Sequence, residues 1–150
     1  MTIFLKRLGP VAFAVAALSL SIQANAAEIG RIKVAKGKVM IERGGSAVPG
    51  GVGIRVQSSD RIITGADGSV GITMDDDSLL SAGPNSVLSL DRYAFDPTTS
   101  QGRFDAGLNK GTLMVISGRI AKGSPDAMTV RTPAVLLGVR GTTFAVSADD

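Results

Sequence analysis

The 150-residue chain contains no cysteine, no histidine and no tryptophan. Without cysteine there is no disulfide, no thiolate nucleophile and no residue on which a lipoprotein anchor could be built. The joint absence of histidine and cysteine excludes Ser-His and Cys-His nucleophile systems and ordinary zinc sites. Carboxylate chemistry or a Ser-Lys pair would remain, and neither shows a recognisable arrangement. The chain is therefore expected to be no enzyme and to need no cofactor or metal. Aromatic residues are also scarce, at 4%, so the core has to be assembled from Val, Ile, Leu, Ala and Met. Beyond the N-terminal 26 residues no stretch carries a sustained helical stripe with caps, and no fixed-period repeat is visible.

The N-terminus has the pattern of a cleaved secretory signal peptide over residues 1–26. Lys6 and Arg7 form a positive n-region, "VAFAVAALSL" (11–20) an apolar h-region, and "ANA" (24–26) a small-x-small cleavage site. The apolar run falls short of the roughly 20 residues that span a bilayer. Loss of Lys6 and Arg7 from the 16 basic residues leaves 14 against 13 acidic ones. A nearly neutral mature chain has no nucleic-acid footprint and keeps no membrane anchor. A periplasmic location is expected, with release to the outside as an alternative.

Residues 27–150 read as one all-β domain of about a dozen short strands between Gly, Pro, Asn, Asp and Ser turns. "EIGRIKVAKGKVMIER" (28–43) suggests two strands broken at Gly37, and "GGSAVPGGVG" (44–53) a glycine-rich loop. "GSVGITM" (68–74) places Val70, Ile72 and Met74 on one face with period two. "GPNS" (83–86) has proline and asparagine where a turn wants them. Further strands are expected at 102–109, 111–121, 126–132, 134–139 and 142–147. Short strands, small corner residues and few aromatics favour an irregular β-solenoid with a narrow aliphatic core. A β-sandwich or barrel is the alternative, and alternation alone does not separate them.

Three stretches stand out. In "TPAVLLGVRGTTFAV" (132–146), inward-facing Val135, Leu137 and Val139 would turn Gly138 and Arg140 the other way. Gly138 would then permit close backbone approach, and Gly141 a positive φ. The Arg140 guanidinium is expected to brace the fold by holding turn carbonyls or a carboxylate such as Asp60, Asp67 or Asp76; a contact to a binding partner is the other use for it. Asp75, Asp76 and Asp77 form the only run of three acids. Consecutive strand residues cannot converge on one cation, so a solvated turn with one acid paired to an arginine is expected in place of a metal site. "FDPTTSQGRF" (95–104) suggests a surface loop, and Arg119 with Lys122 a solvated face.

These stretches in order resemble the FecR-type periplasmic domain. They are "DRIITG" (60–65), "DDSLLSAGPNSVLSL" (76–90), "LDRYAFDP" (90–97) and "GRIAKGSPDAMTVRTPAVLLGVRGTTFAV" (118–146), and the resemblance covers most of residues 30–147. It implies an all-β unit in the periplasm and makes Gly138, Arg140, Gly141 and Thr142 part of a terminal fold signature. Where the family pattern has Asp-Gly-Ser, this chain has Asp76-Asp77-Ser78, so a turn without positive φ is expected there. Members of the resembled type that signal across the inner membrane carry an anti-sigma segment, a spanning helix and a receptor-facing module. None of these is recognisable here, so signal transmission across that membrane is not expected. The expected function is that of an exported binding domain for another envelope protein or an extracellular polymer. Alternatives are a self-assembling structural protein pairing through open strand edges, as a homo-oligomer, and, third, a metal-dependent enzyme.

Overall fold

The computed structural model describes residues 26–149. The signal-peptide expectation, residues 1–26, lies outside the described residues except for Ala26. The strands are β1 (Glu28–Lys36), β2 (Val39–Arg43), β3 (Ser46–Pro49), β4 (Arg55–Gln57), β5 (Arg61–Thr64), β6 (Ser69–Met74), β7 (Leu79–Ala82) and β8 (Val87–Phe95). There follow β9 (Gly102–Ile116), the short helix α1 (Arg119–Gly123), β10 (Met128–Arg131), β11 (Leu136–Gly138) and β12 (Thr143–Ala148).

All twelve strands belong to one curled sheet with the path β3-β2-β5-β8-β9-β7-β6-β1-β4, to which β10 and β12 attach along β9. The all-β expectation holds. Of the two architectures left open, the sheet has that of the barrel-like alternative. Among the described residues every ladder is antiparallel except β9–β10. A solenoid needs parallel rungs, whereas the two- to four-residue reversals at 44–45, 75–78 and 132–135 join antiparallel neighbours.

The sheet curls because β9 serves two leaves. Its first part lies between β8 and β10, its last part between β7 and β12. The corner is Gly111, at φ +91°, where an added Cβ would strike Ser86. Only glycine turns this corner so close to a neighbour. The front leaf is thus β4-β1-β6-β7-β9-β12 and the back leaf β3-β2-β5-β8-β9-β10-β11. Their inner faces bury one cluster, including Ile32, Ile72, Leu80 and Val115 from the front and Ile41, Ile62, Leu88, Phe104 and Leu108 from the back. β6 keeps the expected alternation, with Val70, Ile72 and Met74 inside.

Several local expectations change. The glycine-rich segment holds β3, which forms a hairpin with β2 around Gly44 and Gly45, both at positive φ. The two strands expected at 102–109 and 111–121 are one continuous β9, ending in α1, which buries Ile120 and Ala121. In the apolar segment 135–139 only Val139 is buried; Val135 and Leu136 are exposed.

Candidate functional site

The expected arginine brace exists, but Arg43 supplies it. Asp60 is buried, and Arg43 Nε donates to its Oδ1 at 2.9 Å and Nη2 to its Oδ2 at 2.7 Å. The same Nη2 donates to the Arg55 carbonyl at 2.9 Å, and the Gln57 amide donates to Asp60 Oδ2 at 2.8 Å. This two-pronged pairing suits the guanidinium fork. The hydrogen bond to Asp60, then that carboxylate's charge, hold Arg43 above its ordinary pKa against the opposing effect of burial.

Arg140 is exposed and forms no hydrogen bond or ion pair among the described residues. Its expected role as an internal brace is corrected accordingly: each carboxylate proposed for it is satisfied elsewhere. Asp60 is held by Arg43, Asp67 accepts from the Lys38 amide at 3.3 Å, and Asp76 is enclosed by neutral donors. The expected close approach at Gly138 is also absent, since a Cβ there would meet nothing within 4 Å. Gly141 does take a positive φ, +64°. Thr142 is exposed, and its carbonyl accepts from the amide and hydroxyl of Ser117.

The triple acid divides three ways. Asp75 lies 3.5 Å from Arg55 Nη2, Asp76 is fully buried, and Asp77 faces solvent. Asp76 Oδ1 accepts from the Ser78 amide and the Tyr93 hydroxyl; Oδ2 accepts from the Ser78 hydroxyl at 2.8 Å and the Ile120 amide at 3.2 Å. The Arg119 amide donates to the Asp76 carbonyl at 2.8 Å. A Cβ on Gly118 would collide with this turn's main chain. Burial, then the charge of Asp76, push the Tyr93 hydroxyl well above the ordinary tyrosine range. This knot welds the 75–78 turn to β8 and to the start of α1. Asp77 sits at φ +69°. The turn therefore keeps the left-handed residue that the family pattern fills with glycine, contrary to the expectation from the substitution.

Sequence reasoning missed Arg43, Tyr93, Ser78 and Gly118, all of which act across long chain separations. It also left Arg119 on a solvated face. Arg119 Nη2 in fact donates to the Pro97 carbonyl at 2.7 Å and to Ser100 Oγ at 2.8 Å, with the guanidinium 5.0 Å from the Phe95 ring centroid. It clamps the 95–101 loop.

The two outer surfaces differ in chemistry. On the back leaf one cross-strand row runs Glu42, Arg61, Ser89, Gly107, Arg131. Nearby, Asp105 receives Arg103 at 3.0 Å and the Thr129 hydroxyl at 2.6 Å. Burial raises the Asp105 carboxyl, but the hydrogen bonds from Arg103 and Thr129 and the charges of Arg103 and Arg92 outweigh it, and the net shift is downward. On the front leaf one row runs Val34, Gly71, Ser81, Met114, Ala145, and a second Arg55, Arg31, Thr73, Leu79, Ile116, Thr143, charged on β4 and β1 and apolar on β7 and β9. Val34 is 48% exposed, Met114 46%, Leu79 40% and Ile116 39%. A shallow groove of about 560 Å³ crosses the first row, floored by Gly71, Ser81 and Met114. Clustered aliphatic exposure on one face marks a contact surface more than scattered apolar residues do.

Comparison with known proteins adds the family. A family model described as FecR protein matches residues 60–150, from the Asp60 turn through β12. The resemblance read over residues 30–59 lies outside that match. No curated protein and no solved structure matches the chain. The matched segment takes in the Asp76 knot, the β9 corner and the terminal strand, and by this match over more than half its length the chain belongs to the FecR protein family.

Proposed function

We propose that this chain is an exported, non-catalytic FecR-family module that binds another protein of the bacterial envelope through the outer face of its front leaf. Family membership supports a role connected with envelope signalling, and the N-terminal charge and hydropathy pattern supports export to the periplasm. Among the described residues no helix is long and apolar enough to cross a membrane.

The observation that carries the proposal is the paired aliphatic rows on β1, β6, β7, β9 and β12. Exposed Val34, Leu79, Met114 and Ile116 offer apolar area, and the charged residues of this leaf, Arg31, Lys36 and Arg55, stand on β1 and β4 at its far side, whereas the back leaf presents Glu42, Arg61 and Arg131 across its rows. A polysaccharide would call for aromatic stacking surfaces, and this face has none. A protein partner with apolar side chains fits it better than a polymer does.

The test is Met114→Lys with Ile116→Lys, tagged and expressed with the native leader, followed by chemical crosslinking in cells. Both side chains are exposed, so the variant is expected to melt like the parent while losing its discrete adduct to a second protein. An adduct retained at the parental level would contradict the assignment to this face.

A further inference from the structure

Among the described residues β12 is a free edge of the front leaf, paired with β9 alone. The Ser117 amide donates to the Thr142 carbonyl. By antiparallel alternation the main-chain groups of Phe144 and Val146 then face β9, and those of Thr143, Ala145 and Ser147 point off the sheet. The other edges among the described residues are blunted. β3 ends in Pro49, and β4 and β11 are three residues each. β12 has six residues, "TFAVSA", with no charge, no proline and no bulge. Proteins protect edges of that length unless the edge is used.

We propose that two copies of this chain pair antiparallel along β12, about a two-fold axis at Ala145. This register uses all three outward-pointing residues, matching Thr143 with Ser147 and Ala145 with its own copy. It sets Phe144, only partly buried against the core, opposite Val146 of the second copy, an aromatic with a β-branched residue. The flanks are complementary in charge. Gly141 comes opposite Asp149, which brings Arg140, exposed and without a partner among the described residues, beside an acid of the second copy. The same pairing continues the row Val34, Gly71, Ser81, Met114, Ala145 across the axis into its copy, so two front leaves form one face. The dimer does not depend on what that face binds.

The absence of native cysteine makes the test clean. Opposed residues in a hydrogen-bonded antiparallel pair have Cα atoms about 5.5 Å apart, within disulfide reach. Full-length mature protein carrying Ala145→Cys is expected to oxidise to a covalent dimer on a non-reducing gel. Ser147→Cys alone is expected to stay monomeric, and a mixture of Thr143→Cys and Ser147→Cys to give the mixed dimer. Equal crosslinking of Ala145→Cys and Ser147→Cys, or none from Ala145→Cys, would overturn the register. As an independent readout, sedimentation of the cysteine-free parent is expected to show a dimer and Ala145→Pro a folded monomer that loses only the concentration-dependent part of the parent's melting temperature, because the removed amide faces away from β9. A monomeric parent at high concentration would overturn the proposal. Arg140→Glu is expected to weaken the dimer and Arg140→Glu with Asp149→Lys to restore it; failure of that rescue would remove the charge pairing.

Discussion

Replacing Arg43 with alanine removes three hydrogen bonds in one step, two to Asp60 and one to the Arg55 carbonyl. Asp60, 1% exposed, would keep only the Gln57 amide and an uncompensated charge. Breaking a buried ion pair from one side costs about 3–5 kcal/mol. Arg43 itself is 32% exposed, so water entering behind the truncated side chain relieves part of that, and a loss of about 2–4 kcal/mol is expected. At about 3–5 °C per kcal/mol for a domain of this size, the midpoint should fall by about 6–20 °C. Arg140→Ala, by contrast, removes an exposed side chain with no bonding partner among the described residues and should stay within about 0.5 kcal/mol of the parent. Thermal melts by circular dichroism, checked by urea midpoints, compare the two variants directly. Equal losses, or an Arg43→Ala melt at the parental midpoint, would refute the assignment of the brace to Arg43.

Asp76→Ala strands three buried donors, the Ser78 amide and hydroxyl and the Ile120 amide, and the half-buried Tyr93 hydroxyl; at about 1–3 kcal/mol for each unsatisfied buried group it should unfold the domain at ordinary temperature or leave it marginal; urea denaturation decides, and a midpoint near the parent's would contradict the knot. Asp105 has a lowered folded pKa, so its stabilising effect is complete above about pH 4, the ordinary carboxylate value, and disappears as pH falls through the lower folded value. The stability gap between the parent and Asp105→Asn should therefore close below about pH 4; a gap unchanged at pH 2 would count against it. Asp77→Gly should lie within about 1 kcal/mol of the parent, since relief of the left-handed conformation offsets glycine's entropy, while Asp77→Val should be clearly less stable. Matching melts for the two would show that the turn tolerates other backbone conformations.

The parts of the fold legible in the sequence are those written locally. β6 alternates because Val70, Ile72 and Met74 must share a face, and the Pro84-Asn85 turn forms with Asn85 at φ +52° as its residue types allow. Strand direction is not a local property, and so short alternating segments suited a solenoid as well as a curled antiparallel sheet. β9 was hidden for the opposite reason. Asn109-Lys110-Gly111 has the composition of a turn, yet Gly111 bends one strand between two leaves. Arg140 reads as a brace because an arginine among apolar residues suggests burial, yet it is exposed. The guanidinium that Asp60 uses lies 17 residues away in sequence, at the end of β2, a strand expected from the sequence but with nothing local to tie it to Asp60. Tyr93, the chain's only tyrosine, was the one available hint that Asp76 goes inside.

The central claim, that the front leaf carries the binding face, is tested most directly by a photo-crosslinking scan in living cells. A photoreactive residue would be placed in turn at Val34, Leu79, Met114 and Ile116 on the front leaf, and at Ser89 and Asn109 on the back. The account predicts one common adduct to a second envelope protein from the front-leaf positions and none from the back. The same adduct from Ser89 and Asn109, with none from Met114, would contradict it.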